Sequence, residues 1–273
     1  MKPPPFGYSR PESLDDAVRL LAESGGDAKV LAGGQSLVPL LSMRLAAPRR
    51  LIDINRVSEL AYVRTHENTV RVGALARQAD VERDASAAAV QPLLGQALRL
   101  VAHPTIRNRG TVVGSLAHAD PASELTAVLA VLGGTVRLTS ARGDRTVPAD
   151  QFFVGPLSTS ATADELVVEA SFPGRPPRTG SAFVEISRRH GDYAICGVAV
   201  CVTVDAEGVL QAGKAAFISV GPTPVVLALS EVVAGTSTCW RPSTTPARGA
   251  VSRSPATTPT ASTSPGVATS PRF

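Results

Sequence analysis

A short apolar run, Lys29–Ala32, meets two adjacent glycines and leads straight into a segment of helical period, Ser36–Leu45. A second apolar run, Arg50–Ile54, follows it. The order predicts strand, tight turn at the strand's carboxyl end, helix and strand, a β–α–β opening. Pro39 falls in the first turn of that helix, where its missing N–H is tolerated. Upstream, Ser13-Leu14-Asp15-Asp16 is a capping-box variant with Asp16 at the N3 position. Leu14, Ala17, Val18, Leu21 and Ala22 then recur at helical spacing until Gly25-Gly26 stops the helix.

The pattern then changes. Tyr62–Arg64 and Thr69–Val72 read as short strands around a Glu67-Asn68 turn. Helical patterns cover Ala76–Asp84 and Ala88–Val101, and a third runs from Pro121 to Leu132 and ends at Gly133-Gly134. Between them, Gly110–Ser115 combines glycines and hydroxyls with a strand-like run that opens the helix at Pro121. Strands are predicted at Thr135–Thr139 and Glu165–Phe172. Gly174–Gly180 has linker chemistry. Beyond it come strand patterns at Ala182–Arg188, Ala194–Val204 and Ala215–Val220, joined too closely for crossover helices and so antiparallel. Pro224–Ala234 has a helix-like pattern. The fold class is therefore α+β. The expected division is 1–58, 59–178, 179–235 and a tail at 236–273.

The tail is a different kind of sequence. Of its 38 residues, 22 are Ser, Thr or Pro, too little apolar matter to offset the entropy of ordering. The abrupt change suggests a natural C-terminus lost to a frameshift; a disordered tail is the other reading. The tail also explains the formal net charge of +4. Of 27 basic side chains, four (Arg241, Arg248, Arg253, Arg272) lie there without an acid, leaving 23 basic groups against 23 acidic ones. Nucleic-acid binding by the folded part is not expected. No apolar run reaches the roughly 18 residues of a membrane span. Met1–Pro5 lacks the apolar core of a signal peptide, and a cytoplasmic location is expected.

Many chemistries lack their motifs. There is no G-x-x-x-x-G-K-[ST], no G-x-G-x-x-G after a strand and no G-x-S-x-G. His66, His103, His118 and His190 are scattered without ligand spacing, and no metal site is expected. Cys196 and Cys201 lie on one predicted strand at an odd separation, facing opposite sides, and read as small buried hydrophobes.

Two loops remain. In Ala32-Gly33-Gly34-Gln35-Ser36-Leu37, adjacent glycines let the backbone approach a ligand and present several N–H groups at once, with the positive end of a helix behind them. An ordinary tight turn is the alternative. In Gly110–Glu124, Thr111 and Ser115 offer hydroxyls to a diphosphate or sugar, and Glu124 a hydroxyl-accepting carboxylate. Asp120 or Ser123 alternatively serves only to cap the helix.

These two loops, together with Ser187-Arg188-Arg189-His190-Gly191-Asp192-Tyr193, resemble the FAD-binding medium subunits of the molybdenum hydroxylases, such as those of carbon monoxide dehydrogenase and xanthine dehydrogenase. The likeness covers roughly residues 1–235. It implies a two-subdomain FAD-binding fold of the vanillyl-alcohol oxidase (PCMH) type, followed by a truncated antiparallel-sheet domain. It implies FAD held by Val30, Leu31, Ala32, Gly33, Gly34, Gln35, Ser36 and Leu37 on the adenine and diphosphate side. Thr111, Gly114, Ser115 and Glu124 would serve the diphosphate and ribityl side, Val167 would contribute its backbone, and Tyr193 would stack on the flavin. No side chain is expected to act as a catalytic acid or base; His190 and Asp192 are candidates, set against a structural turn.

The implied partners are a molybdopterin-binding large subunit and a 2Fe-2S small subunit, in a dimer of heterotrimers. FAD would pass electrons from the clusters to a quinone, NAD or oxygen. Two other readings stay open: a truncated, non-catalytic remnant, or a stand-alone FAD oxidoreductase. One departure from the family pattern matters. Val113 stands where the family usually has glycine, so strain is expected if that position needs positive φ, its side chain is expected to crowd the phosphate, and weakened FAD affinity follows.

Overall fold

A computed structural model describes residues 2–229 of the chain. The opening is built as β1 (Gly7–Ser9), α1 (Leu14–Glu23), β2 (Ala28–Leu31), α2 (Leu37–Ser42) and β3 (Arg50–Asp53). The three strands form a parallel sheet in the order β1-β3-β2. Ser13 caps α1 by accepting from the Asp16 amide at 3.1 Å, as the capping box requires. The sequence reading missed β1, which is too short for a periodic signal. It also ran the second helix to Leu45. The helix stops at Ser42 because Arg44 takes a φ of +60°.

The middle region begins with the hairpin β4 (Val63–His66) and β5 (Thr69–Gly73). Glu67 and Asn68 both have positive φ, as a two-residue hairpin turn with matching twist demands. Six helices follow: α3 (Gln78–Arg83), α4 (Ala85–Val90), α5 (Pro92–Leu98), α6 (Pro104–Arg107), α7 (Val112–His118) and α8 (Glu124–Leu132). Then come β6 (Thr135–Ser140), β7 (Gly143–Pro148), α9 (Ala149–Phe152), β8 (Phe153–Gly155), β9 (Ser158–Thr159) and β10 (Leu166–Pro173). A five-stranded sheet collects β4-β5-β10-β6-β7.

Three expectations fail in this region. The helix predicted over Ala88–Val101 breaks at Gln91, which leaves helical geometry ahead of Pro92 and caps α5 with its own side chain. The strand-like Thr111–Ser115 run is instead the start of α7, because the Thr111 side chain caps a helix there. The helix expected from Pro121 begins at Glu124, after a turn in which Asp120 accepts from the Ala122 amide.

The last region is an antiparallel sheet, β11 (Thr179–Ser187), β12 (Ala194–Val204), β13 (Leu210–Ile218) and β14 (Val225–Ala228), in sequence order. Its antiparallel pairing is as predicted. The helix-like Pro224–Ala234 is corrected: Val225–Ala228 pairs with β13, since a short β-branched apolar run has no period that separates strand from helix. Its remainder from residue 230, and the predicted tail, lie outside the described residues. Cys196 and Cys201 on β12 are free and half-buried rather than fully buried.

The core lies between the five-stranded and four-stranded sheets. Its centre is α8, which packs on β12 and β13 and also reaches β10. Leu125, Ala127, Val128, Leu129 and Val131 are all buried, as befits a helix apolar on every side. The alternating burial of β10 turns Leu166, Val168, Ala170 and Phe172 inward.

Candidate functional site

The Gly33-Gly34 turn leaves β2 and the Thr111 turn enters α7, and the two are in van der Waals contact. A Cβ on Gly33 would sit 2.8 Å from the Gly110 Cα and 3.0 Å from the Thr111 amide nitrogen, and would run into the Arg109 carbonyl. Only glycine permits that approach. Gly34 takes a φ of +75°, which turns the chain back toward α2. Among the described residues, the backbone amides of Gln35, Ser36 and Leu37 donate to no protein acceptor. They form a set of unclaimed donors beside the second loop. With only six residues, α2 adds little dipole, so these amides rather than a helix end supply the positive potential.

The second loop is preorganised by its own hydroxyl. Thr111 Oγ1 accepts from the Gly114 amide at 3.0 Å, leaving the Thr111 O–H to donate elsewhere. A Cβ on Gly114 would meet Thr111 Oγ1 at 2.5 Å and break this cap. Ser115 shares a hydrogen bond of 2.9 Å with the buried Ser123 hydroxyl, which ties α7 to the start of α8. Val113 does not have positive φ; it is a buried residue in the first turn of α7. The strain expected of it is absent, while Val113 still lines the space beside Gly114.

A side-chain staple that the sequence reading did not find holds the two loops together. Asn55 Nδ2 donates to the Ala32 carbonyl at 2.8 Å, just before the first glycine loop. Arg77 donates from Nη2 to Asn55 Oδ1 at 2.7 Å and from Nη1 to the Arg109 carbonyl at 2.7 Å, just before the second. Asp53, which accepts from the Tyr8 hydroxyl and from both Asn55 nitrogens, fixes Asn55 in turn. No local motif marks these residues; only the contact between Gly33 and Gly110 brings them together.

Both loops open on one cavity of about 850 Å³. Its lining includes Val30, Ala32, Gly33, Gly34, Gln35, Ser36 and Leu37 from the first side, and Thr111, Gly114, Ser115, Glu124, Val167 and Tyr193 from the other. Leu31 is the one expected residue outside the lining; its side chain packs beneath Gly34 instead. Val167 pairs with Leu138 on β6 at the edge of a β10 bulge that leaves Val168 out of register. Tyr193 is 74% exposed, so its ring has an unoccupied face. Its loop is seated on α6: a Cβ on Gly191 would strike the His103 ring, and His103 and His190 meet edge-on at 5.9 Å.

Burial pushes the Glu124 carboxyl up to about 7, with Glu185 and Asp120 adding to the shift and its own backbone N–H opposing it. Near neutral pH this group exists in both protonation states and can accept from or donate to a hydroxyl. Burial pushes the His118 imidazole down, so it lines the cavity neutral at pH 7. Gln78, 4% exposed and also in the lining, has a buried Oε1 without a partner. A buried amide oxygen left unpaired is costly enough to suggest that a ligand donor completes it.

The volume falls within the roughly 300–1,000 Å³ range of cofactor pockets. Free amides and a tight glycine cradle suit a diphosphate, and hydroxyls with a half-titrated carboxyl suit a polyol. A tyrosine with an open face suits a flat ring. The donor set therefore fits a flavin dinucleotide.

Comparison with known proteins agrees. Residues 4–175 match the family model described as "FAD binding domain in molybdopterin dehydrogenase", and residues 181–247 match "CO dehydrogenase flavoprotein C-terminal domain". The chain is 45% identical to 6-hydroxypseudooxynicotine dehydrogenase complex subunit alpha of Paenarthrobacter nicotinovorans, over 82% of this chain and 76% of that one. It is 42% identical to caffeine dehydrogenase subunit beta of a Pseudomonas species, over 82% and 76%. The solved carbon monoxide dehydrogenase of Hydrogenophaga pseudoflava superposes with a TM-score of 0.82 at 38% identity, covering 85% of this chain and 81% of that chain. With a glycine cradle shaped for a diphosphate and matches along nearly all of its described length, the chain belongs to the FAD-binding medium subunits of the molybdenum hydroxylase family.

Proposed function

We propose that this chain is the electron-transfer flavoprotein of a three-subunit molybdenum hydroxylase. It receives electrons from 2Fe-2S clusters on a small subunit and passes them to an external acceptor (quinone, NAD or oxygen). Substrate oxidation occurs on a molybdopterin-binding large subunit. The observation that carries this reading is the stapled pair of loops facing a single cavity. When bound, FAD supplies the ability to take electrons singly and release them in pairs.

The protein's share is positioning. The Gln35–Leu37 amides hold the diphosphate, and the glycines let the backbone reach it. Val30 and Ala32 wall the adenine side, with Leu31 supporting the Gly34 turn from beneath. Thr111 and Ser115 donate to phosphate or sugar oxygens, and Glu124 orients the ribityl hydroxyls. The Val167 backbone and the Tyr193 ring bound the flavin. In this reading residues 1–58 and 59–178 are the two lobes around the cofactor, and 179–235 carries the Tyr193 loop. No side chain is assigned as a catalytic acid or base. The relatives' names carry different substrates, pseudooxynicotine derivatives, caffeine and carbon monoxide. That supports a shared electron-handling module whose substrate chemistry lies on another subunit.

Anaerobic mixing tests the proposal. The full chain is loaded with FAD and combined with a reduced 2Fe-2S small subunit of the same family. Rapid bleaching of the visible flavin band is expected only in the presence of that subunit. No bleaching with the reduced partner, or steady substrate turnover by the isolated chain, would contradict it.

A further inference from the structure

Away from the flavin cavity, the outward face of the five-stranded sheet has an arrangement that a merely solvated surface does not need. The turn at Glu67-Asn68 sets the hairpin register so that Arg64 on β4 lies directly opposite Arg71 on β5. Like charges in that position are destabilising unless something neutralises them. Among the described residues, no carboxylate lies within ion-pair distance of either guanidinium. The nearby acids are committed elsewhere. Glu169 accepts from the Tyr62 hydroxyl at 2.6 Å and lies 3.9 Å from Arg137, and Asp144 pairs with Arg137 at 2.9 Å.

The arginines are also preorganised. The Arg64 guanidinium stacks over the Tyr62 ring, 4.3 Å from its centre, and that ring is held by the Glu169 contact. Across the sheet the Arg64–Arg71 row continues into Ser171 and then Thr135, both small hydroxyls. The neighbouring row ends at Thr146, beyond Arg137. These side chains line a recess of about 410 Å³, large enough for a phosphorylated small molecule. Two guanidinium forks with hydroxyl donors at their edge present many donors and one committed acceptor, the donor pattern of an oxyanion site.

We propose that this recess binds a phosphate-bearing small ligand, held by Arg64 and Arg71 and flanked by Ser171, Thr135 and Thr146. It is a second anion site, distinct from the diphosphate cradle at Gly33. The shared chemistry is the phosphate oxyanion, whether inorganic or carried by a nucleotide.

Titration calorimetry on the FAD-loaded full chain at low salt, with pyrophosphate and ADP as probes, tests this. The expected result is saturable binding of at least one probe. Arg64→Ala and Arg71→Ala should each weaken it about tenfold or more, the scale of losing a charge-assisted contact. Equal affinities would assign the site to phosphate alone, and tighter ADP binding to a nucleotide. Both arginines are exposed, so the variants should fold, which thermal melts would verify. Because only this face contains Arg71, loss in Arg71→Ala isolates the recess from the cradle even if FAD is not retained. Absence of saturable binding, or an unchanged isotherm in both variants, would overturn the proposal.

Discussion

Glu124 couples the cavity to pH. Its carboxyl is raised from an ordinary 4.5 to about 7, chiefly by burial. Between those values the folded chain holds a proton that the unfolded chain has released. The stabilising contribution is full below pH 4.5 and is lost as pH rises through 7, on the order of 3 kcal/mol in total. Thermal melts of the cofactor-free chain should therefore show stability falling from pH 5 to pH 8. Glu124→Gln should flatten that slope; an identical slope in the variant would refute the assignment. The residue's place in the cavity was legible from its position after a glycine-and-hydroxyl loop. Its titration was not, because its burial and its proximity to Glu185 are tertiary facts. Val113 teaches the reverse: a residue that looked misplaced against a family pattern is unstrained, because α7 gives it helical geometry.

At the scale of elements, the Asn55–Arg77 staple links the end of β3 to the start of α3 and so sets the spacing of the two loops. Charge-assisted bonds of this kind contribute roughly 1.5–3 kcal/mol each. Arg77→Met should weaken FAD binding by about one to two orders of magnitude, read by flavin fluorescence, with far-ultraviolet circular dichroism unchanged. An unaltered affinity would mean that the loops hold their spacing without it. Elements with clear local signals were readable: α1 from its capping box, the β4–β5 hairpin from its turn, β10 and β12 from strand-length apolar runs. Those that failed did so for stated reasons. Gln91-Pro92 cuts one helix pattern in two, Thr111 nucleates a helix inside a strand-like run, and Val225–Ala228 is too short to carry a period. Arg77, charged and unmarked by any motif, had no signal to find.

For the whole molecule, the fold brings two loops more than seventy residues apart into contact and opens both on one cavity. The sequence revealed each loop and its suitability for phosphate; only the packed structure supplies their juxtaposition, since it depends on a glycine with no room for a methyl group. The most direct test is FAD retention by the full chain. Wild-type protein and Gly33→Ala are saturated with FAD, dialysed against cofactor-free buffer and compared by visible absorbance per chain. Wild type should keep close to one FAD per chain, and Gly33→Ala, still folded by circular dichroism, should lose most of it. A colourless wild type, or a variant as yellow as wild type, would contradict the shared cradle.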